Sequence, residues 1–256
     1  MIKTLNFFRY YLISAIKIIY YFLFGWAYKE GRKKLTRIIA SAQKLPKEKR
    51  KLETLDFKNI VNENVTVNIS QLFGVNGNTS LYELIVISGI VKNKNPLTIL
   101  EIGTFDGRTT LNFALNTLAE CKIYTLDLPP SEKDKTSFAI EENEMQYINK
   151  PESGARFKNF SDAGKIIQLF GDSATFDFSV LPKADLIFID GSHAYDYVIN
   201  DSLKCFQMLK PNGIMLWHDY GVWEGVTKGL EFLKETNPSF KSISYIRETS
   251  LAYLAL

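Results

Sequence analysis

Each of the chain's two histidines stands close to an aspartate: His193 follows Asp190 by three residues, and His218 directly precedes Asp219. A carboxylate beside an imidazole can take a proton from a hydroxyl in a transition state. His193 falls near the predicted start of a helix, where the dipole disfavours imidazolium and keeps the ring available as a base. It is the first choice of general base and His218 the second. A lone histidine is usually structural; two beside strand-end acids point to chemistry.

Those residues need elements to hold them. From Asn95 onward the sequence repeats strand, polar turn and helix. Strands are predicted at Leu97–Leu100, Lys122–Leu126, Ile166–Phe170, Ala184–Ile189 and Ile214–Trp217, with helices at Leu81–Lys92, Thr109–Leu118, Ala194–Leu209 and Val226–Leu233. Apolar strands alternating with helices imply an α/β fold with a doubly wound, mostly parallel sheet. The tail breaks the pattern, with Lys241–Ile246 and Ser250–Leu256 reading as an antiparallel pair at one edge. Val65–Ile69 reads as a short edge strand, and Thr79-Ser-Leu-Tyr-Glu83 as an N-cap entering the first helix. Glu101, Asp127, Asp172, Asp190 and Asp219 all fall at the carboxyl ends of predicted strands. One such acid is often a helix cap. Five at successive strand ends mark one crevice, at the place where open α/β sheets bind ligands.

The first turn after a strand is Glu101-Ile-Gly103-Thr104-Phe105-Asp106-Gly107. Phe105 stands where a dinucleotide fingerprint needs a glycine for close approach to a pyrophosphate. No Gly-Lys-Ser/Thr follows for a nucleotide triphosphate. Asp127, at the second strand end, can accept both hydroxyls of a ribose. These features fit a cationic or zwitterionic nucleoside without a phosphate tail, and S-adenosylmethionine has that composition.

Leu100–Thr109, Tyr124–Pro130, Gly171–Phe176, Phe188–His193 and Leu209–Gly213 together resemble the ordered motifs of class I S-adenosylmethionine-dependent methyltransferases. The resemblance runs over roughly residues 74–256 and is greatest to the subgroup containing macrocin O-methyltransferase and cephalosporin-hydroxylase-like proteins. It implies a Rossmann-like sheet of seven strands with the last antiparallel. It also implies cofactor contacts from Glu101, Gly103, Thr104, Phe105, Gly107, Asp127, Leu128, Gly171, Asp172, Ser173 and Asp190. Glu101 and Gly103 would line the methionine part, Asp127 the ribose, and Asp172 with Ser173 the adenine edge.

The expected reaction is methylation of a hydroxyl on a small polar molecule or glycan. The alternatives are a nucleoside-binding scaffold and an aminopropyl-type transferase on the same fold. In related O-methyltransferases strand-end carboxylates hold magnesium, which places Asp190, Asp219 and His218 as metal candidates. The imidazole suits zinc, iron or manganese better than magnesium. Tyr220 and Trp223 read as an aromatic loop over the crevice or as packing on the following helix. Residues 129–165 form a long polar insertion of the kind that often serves as a lid.

The remaining signal is in the charge. Among 256 residues, 31 Lys and Arg oppose 28 Asp and Glu, for a net +3. Residues 29–51 hold ten bases against Glu30 and Glu48. This follows a segment, Tyr10–Tyr28, that is apolar apart from Ser14, Lys17 and Gly25. Residues 1–28 therefore read as a helix at a membrane surface, or packed on the body or on a second subunit. Residues 29–73 read as a basic linker and mixed segment, and 74–256 as the catalytic domain. A membrane contact through residues 1–51 would leave the body on the cytoplasmic face by the positive-inside rule. Nucleic acid is the least favoured partner of the basic run. Two cysteines within apolar patterns, Cys121 and Cys205, fit a reducing compartment.

Overall fold

Helix α1, Leu81–Lys94, shows how local sequence sets the elements. Ser80 accepts from the Glu83 amide while Glu83 reaches back to the Ser80 amide, a complete capping box. At the other end Asn95 takes a left-handed conformation (φ 51°) and stops the helix. The computed structural model describes residues 13, 15–27, 31–32 and 50–256. The chain divides into two compact units, Met1–Lys47 and Glu48–Leu256.

The second unit is built on eight strands: β1 Glu53–Leu55, β2 Thr98–Ile102, β3 Lys122–Asp127, β4 Ile166–Phe170, β5 Ala184–Ile189, β6 Leu209–Trp217, β7 Ser244–Ile246 and β8 Ala252–Ala255. They lie in the order β1-β7-β8-β6-β5-β2-β3-β4. Strand β8 runs antiparallel to both its neighbours, and all other pairs are parallel. The helices beside α1 are α2 Arg108–Leu115, α3 Met145–Ile148, α4 Tyr195–Met208 and α5 Glu224–Thr236.

Central strands are buried on both faces, as a parallel sheet requires. Leu186 and Phe188 of β5 pack with Ile87, Ile90 and Phe113 of α1 and α2. Ile187 and Ile189, alternating with them, pack with Val198 and Cys205 of α4 and Leu230 of α5. Both cysteines are free and buried.

The mostly parallel, doubly wound sheet is as expected, with an eighth strand added to the seven. The extra strand is β1, in register with β7 through Glu53–Ser244 and Leu55–Ile246, so the tail pair is not at the rim. The edge strand expected at Val65–Ile69 does not form. Its neighbourhood is held by side chains: Asn116 and Asn112 of the α2 region each exchange two hydrogen bonds with the backbone of Asn68 and Ser70. Two asparagines four residues apart on one helical face thus take the place of a partner strand. Strand β6 begins at Leu209, before the expected Ile214, and a register shift against β5 accommodates Pro211–Gly213.

In the first unit, residues 15–24 are helical and lead into a 3-10 turn, Gly25–Ala27. The Trp26 indole donates to the Leu23 carbonyl, and Arg32 donates to the Trp26 carbonyl. Among the described residues, no helix is long and apolar enough to cross a membrane. The rest of the predicted Tyr10–Tyr28 helix, and most of the basic run 29–51, lies outside the described residues.

Candidate functional site

Strand order reverses between β2 and β5, so the crevice opens above their carboxyl ends. Gly103 ends β2 with φ +93°, and a Cβ there would sit 1.9 Å from the Asp190 carbonyl. Only a glycine lets the two strand ends approach this closely. All five strand-end acids occupy the expected ends, and their surroundings divide them into two groups.

Asp190 and Asp219 join a cluster of carboxylates and imidazoles. His193 Nε2 lies 2.9 Å from Asp219 Oδ2. His193 Nδ1 lies 2.5 Å from Glu144 Oε1, and the His193 amide donates to the same oxygen. His218 Nδ1 lies 3.2 Å from both Asp190 and Asp219, without hydrogen-bond geometry to either. Its Nε2 faces Glu83 Oε2 at 3.4 Å. Glu83 is fixed in turn by the Ser250 amide and hydroxyl. The order is Glu144–His193–Asp219–His218, closed by Asp190 and Glu83. Asp219 has φ +66°, in the left-handed region that aspartate enters more readily than most residues.

Burial opposes charge on His193, but hydrogen bonds and charges from Asp219 and Glu144 prevail and raise it to about 10. His218 is moved the same way by Asp219 and Asp190, against its own burial. Burial alone would raise Glu83 and Asp219, yet the facing imidazoles hold both well below the usual carboxylate range. The expectation that His193 is neutral therefore changes: the two carboxylates outweigh the helix-start dipole, and the ring is an imidazolium at neutral pH.

The other acids are engaged otherwise. Glu101 is 1 % exposed and accepts from the Thr110 and Thr125 hydroxyls. Burial pushes it up to about 8, so it is an uncharged acid beneath the crevice. Asp127 accepts from the Ser153 hydroxyl at 2.5 Å and pairs with Lys150 Nζ at 2.7 Å. Asp172 accepts from the Ser137 and Ala174 amides and the Tyr197 hydroxyl, while Ser173 donates to Asp201. Thr104 bonds Thr125, and Phe105 (φ +48°) meets Tyr147 edge to face. Gly107 caps α2 in a left-handed conformation. Leu128 follows β3 directly, and the Gly171 amide donates to the Asp127 carbonyl.

Sequence reasoning overlooked Glu144, Lys150 and Glu83. Glu144 and Lys150 belong to the insertion 129–165, which spans the strand ends. It touches Asp172 through Ser137, His193 through Glu144, Asp127 through Lys150 and Ser153, and Asp106 through Arg156. Only its polar length hinted at this. Glu83 served as an N-cap signal and also faces His218. The aromatic loop divides: Trp223 stacks on His193 at 4.3 Å and 11°, whereas Tyr220 is fully buried.

Asp190, His193 and Asp219 can each offer a ligand atom, all within 4.8 Å of one another. The unbonded, buried His218 Nδ1 beside two of them is a further donor. This mixed nitrogen and oxygen set fits a divalent transition metal better than magnesium.

The strand order and its switch point are those of a Rossmann-like methyltransferase fold. Residues 100–220, just under half of the chain, match the model of a family described as a methyltransferase domain. No curated protein sequence matches the chain. Among solved structures, the chain resembles the methyltransferase PaMTH1 of Podospora anserina, bound to S-adenosylhomocysteine, at 16 % identity and TM-score 0.54, covering 69 % of this chain and 79 % of that one. It also resembles the O-methyltransferase TomG of Streptomyces achromogenes, in complex with S-adenosylmethionine, at 14 % identity and TM-score 0.49, covering 70 % and 81 %. An O-methyltransferase of Bacillus cereus in complex with S-adenosylhomocysteine gives 14 % and 0.48, covering 71 % and 84 %.

Proposed function

We propose that the chain transfers the methyl group of S-adenosylmethionine to a hydroxyl oxygen of a small polar molecule or glycan. The observation that carries this reading is the Glu144–His193–Asp219 line at the switch point of the sheet. In the reaction the acceptor O–H and the cofactor C–S bonds break and a C–O bond forms. The sulfur keeps the electron pair, and the hydroxyl proton must be received. The neutral form of His193, scarce near neutral pH and populated as pH rises toward about 10, receives that proton, with Trp223 stacked on the ring and Asp219 beside it. Glu144 fixes the other ring nitrogen and so sets its orientation. Asp127 supplies the carboxylate for ribose hydroxyls, and the glycine turn of β2 supplies the close backbone.

Asp190 and Asp219, with His218 Nδ1 beside them, would hold a divalent cation, which would lower the pKa of an acceptor hydroxyl and offset the carboxylate charge. Calorimetric titration of the full chain with S-adenosylmethionine tests the reading. A micromolar-range binding isotherm is expected, and a folded protein that gives no heat of binding at several temperatures overturns it.

A further inference from the structure

The helix of the first unit exposes apolar side chains around its circumference. Ile16 is 59 % exposed, Ile19 58 %, Phe22 68 %, Leu23 54 % and Trp26 67 %. Positions 16, 19, 22, 23 and 26 advance through more than one face of a 3.6-residue helix, and Ile18, Tyr20 and Phe24 between them are exposed as well. A paired helix would bury one stripe and leave the rest in water. Acyl chains cover more of such a surface than a single partner helix does. The sequence that follows carries ten bases against two acids over residues 29–51, which selects an anionic surface.

The second unit holds the end of the basic segment. The amides of Lys51 and Leu52 both donate to the Tyr220 hydroxyl at 2.8 Å. Tyr220 Oη donates to Glu231, which also pairs with the Lys51 ammonium. The Arg50 guanidinium lies over the Tyr245 and Tyr220 rings at 4.9 and 5.8 Å. Tyr220 is the residue after Asp219. Arg50, Lys51 and Leu52, at the end of the basic segment, are thus anchored on Tyr220, Glu231 and Tyr245 of the second unit, directly before β1.

We propose that residues 13–51 bind an anionic lipid surface and that the crevice methylates an acceptor presented at that surface, such as a lipid-linked glycan or polar headgroup. The second half rests on the methyl-transfer reading, and the first does not. Tethering the chain to that surface raises the local concentration of a surface-bound acceptor without any new contact in the pocket.

The full chain is floated with vesicles of phosphatidylcholine alone and of phosphatidylcholine with phosphatidylglycerol. It is expected to float only with the anionic vesicles. The variant F22D/F24D should lose flotation, and K33E/K34E/R37E should weaken it by about a hundredfold. Both variants should bind S-adenosylmethionine as the parent does, which shows that the body is intact. Failure to float with anionic vesicles, or a lipid-independent dimer that F22D/F24D dissociates, overturns the surface proposal. Methyl-labelled cofactor is then supplied with a cellular lipid extract in the anionic vesicles and with the aqueous extract. Label in the chloroform-soluble product is expected. Label confined to water-soluble products overturns the acceptor class and leaves methyl transfer standing. Absence of cofactor binding overturns methyl transfer and leaves the flotation result untouched.

Discussion

Lys150 Nζ lies 2.7 Å from Asp127 Oδ2, both side chains almost fully buried. The carboxylate that suits a ribose is thus paired with a cation from the insertion. Lys150→Met removes the competitor and leaves Asp127 in need of donors, which ribose hydroxyls provide. Cofactor affinity should rise severalfold, while Asp127→Ala should lower it by about ten- to a hundredfold for lost charge-assisted hydrogen bonds. Calorimetry measures both. A tenfold loss on Lys150→Met would assign the lysine to the binding site itself.

His193→Ala should leave cofactor binding within about threefold and lower kcat by about a hundredfold or more, the usual range for a lost acid–base group. Glu144→Gln keeps one acceptor toward Nδ1 but removes the charge, so kcat should fall less and the pH profile should move to lower pH. If His193→Ala abolishes cofactor binding, its role is in the pocket.

Because His193 is raised to about 10, the proton-accepting form of the ring is scarce at neutral pH. Turnover without added metal should climb with pH from near 7 toward about 10. Manganese or zinc should shift that climb to lower pH, and a chelator should restore it. A profile that ignores both metal and chelator removes the cation from the reaction.

Glu101 titrates at about 8 in the folded chain against 4.5 when free. The folded state therefore binds more protons at this group between those values, and Glu101's contribution to stability is fully present below about 4.5 and is lost as pH rises through about 8. Glu101→Gln keeps the acceptor for Thr110 and Thr125 without that proton. Urea unfolding across this range should show a flatter pH dependence for the variant, and an unchanged slope would contradict an uncharged Glu101.

Gly103→Ala would set a methyl group 1.9 Å from the Asp190 carbonyl at φ +93°. A loss of several kcal/mol is expected, because both backbone strain and a clash between strands act at once. Thermal unfolding tests this, and a wild-type Tm would mean that the β2 and β5 ends separate freely.

The local sequence alone determined the alternating strands and helices, the glycine turn at Gly103 and the five acids at strand ends. Each is written in short-range patterns: apolar runs, turn residues and polar residues at fixed offsets. The Ser80–Glu83 cap was legible for the same reason. The tertiary structure decided what those groups do. Whether His193 is neutral depends on Glu144, which is 49 positions away and enters through an insertion with no motif. Whether residues 65–69 form a strand depends on Asn112 and Asn116, whose side-chain amides pair with the backbone of Ser70 and Asn68. Charge state and backbone pairing follow from which groups come within about 3 Å, and sequence separation carries no record of that distance.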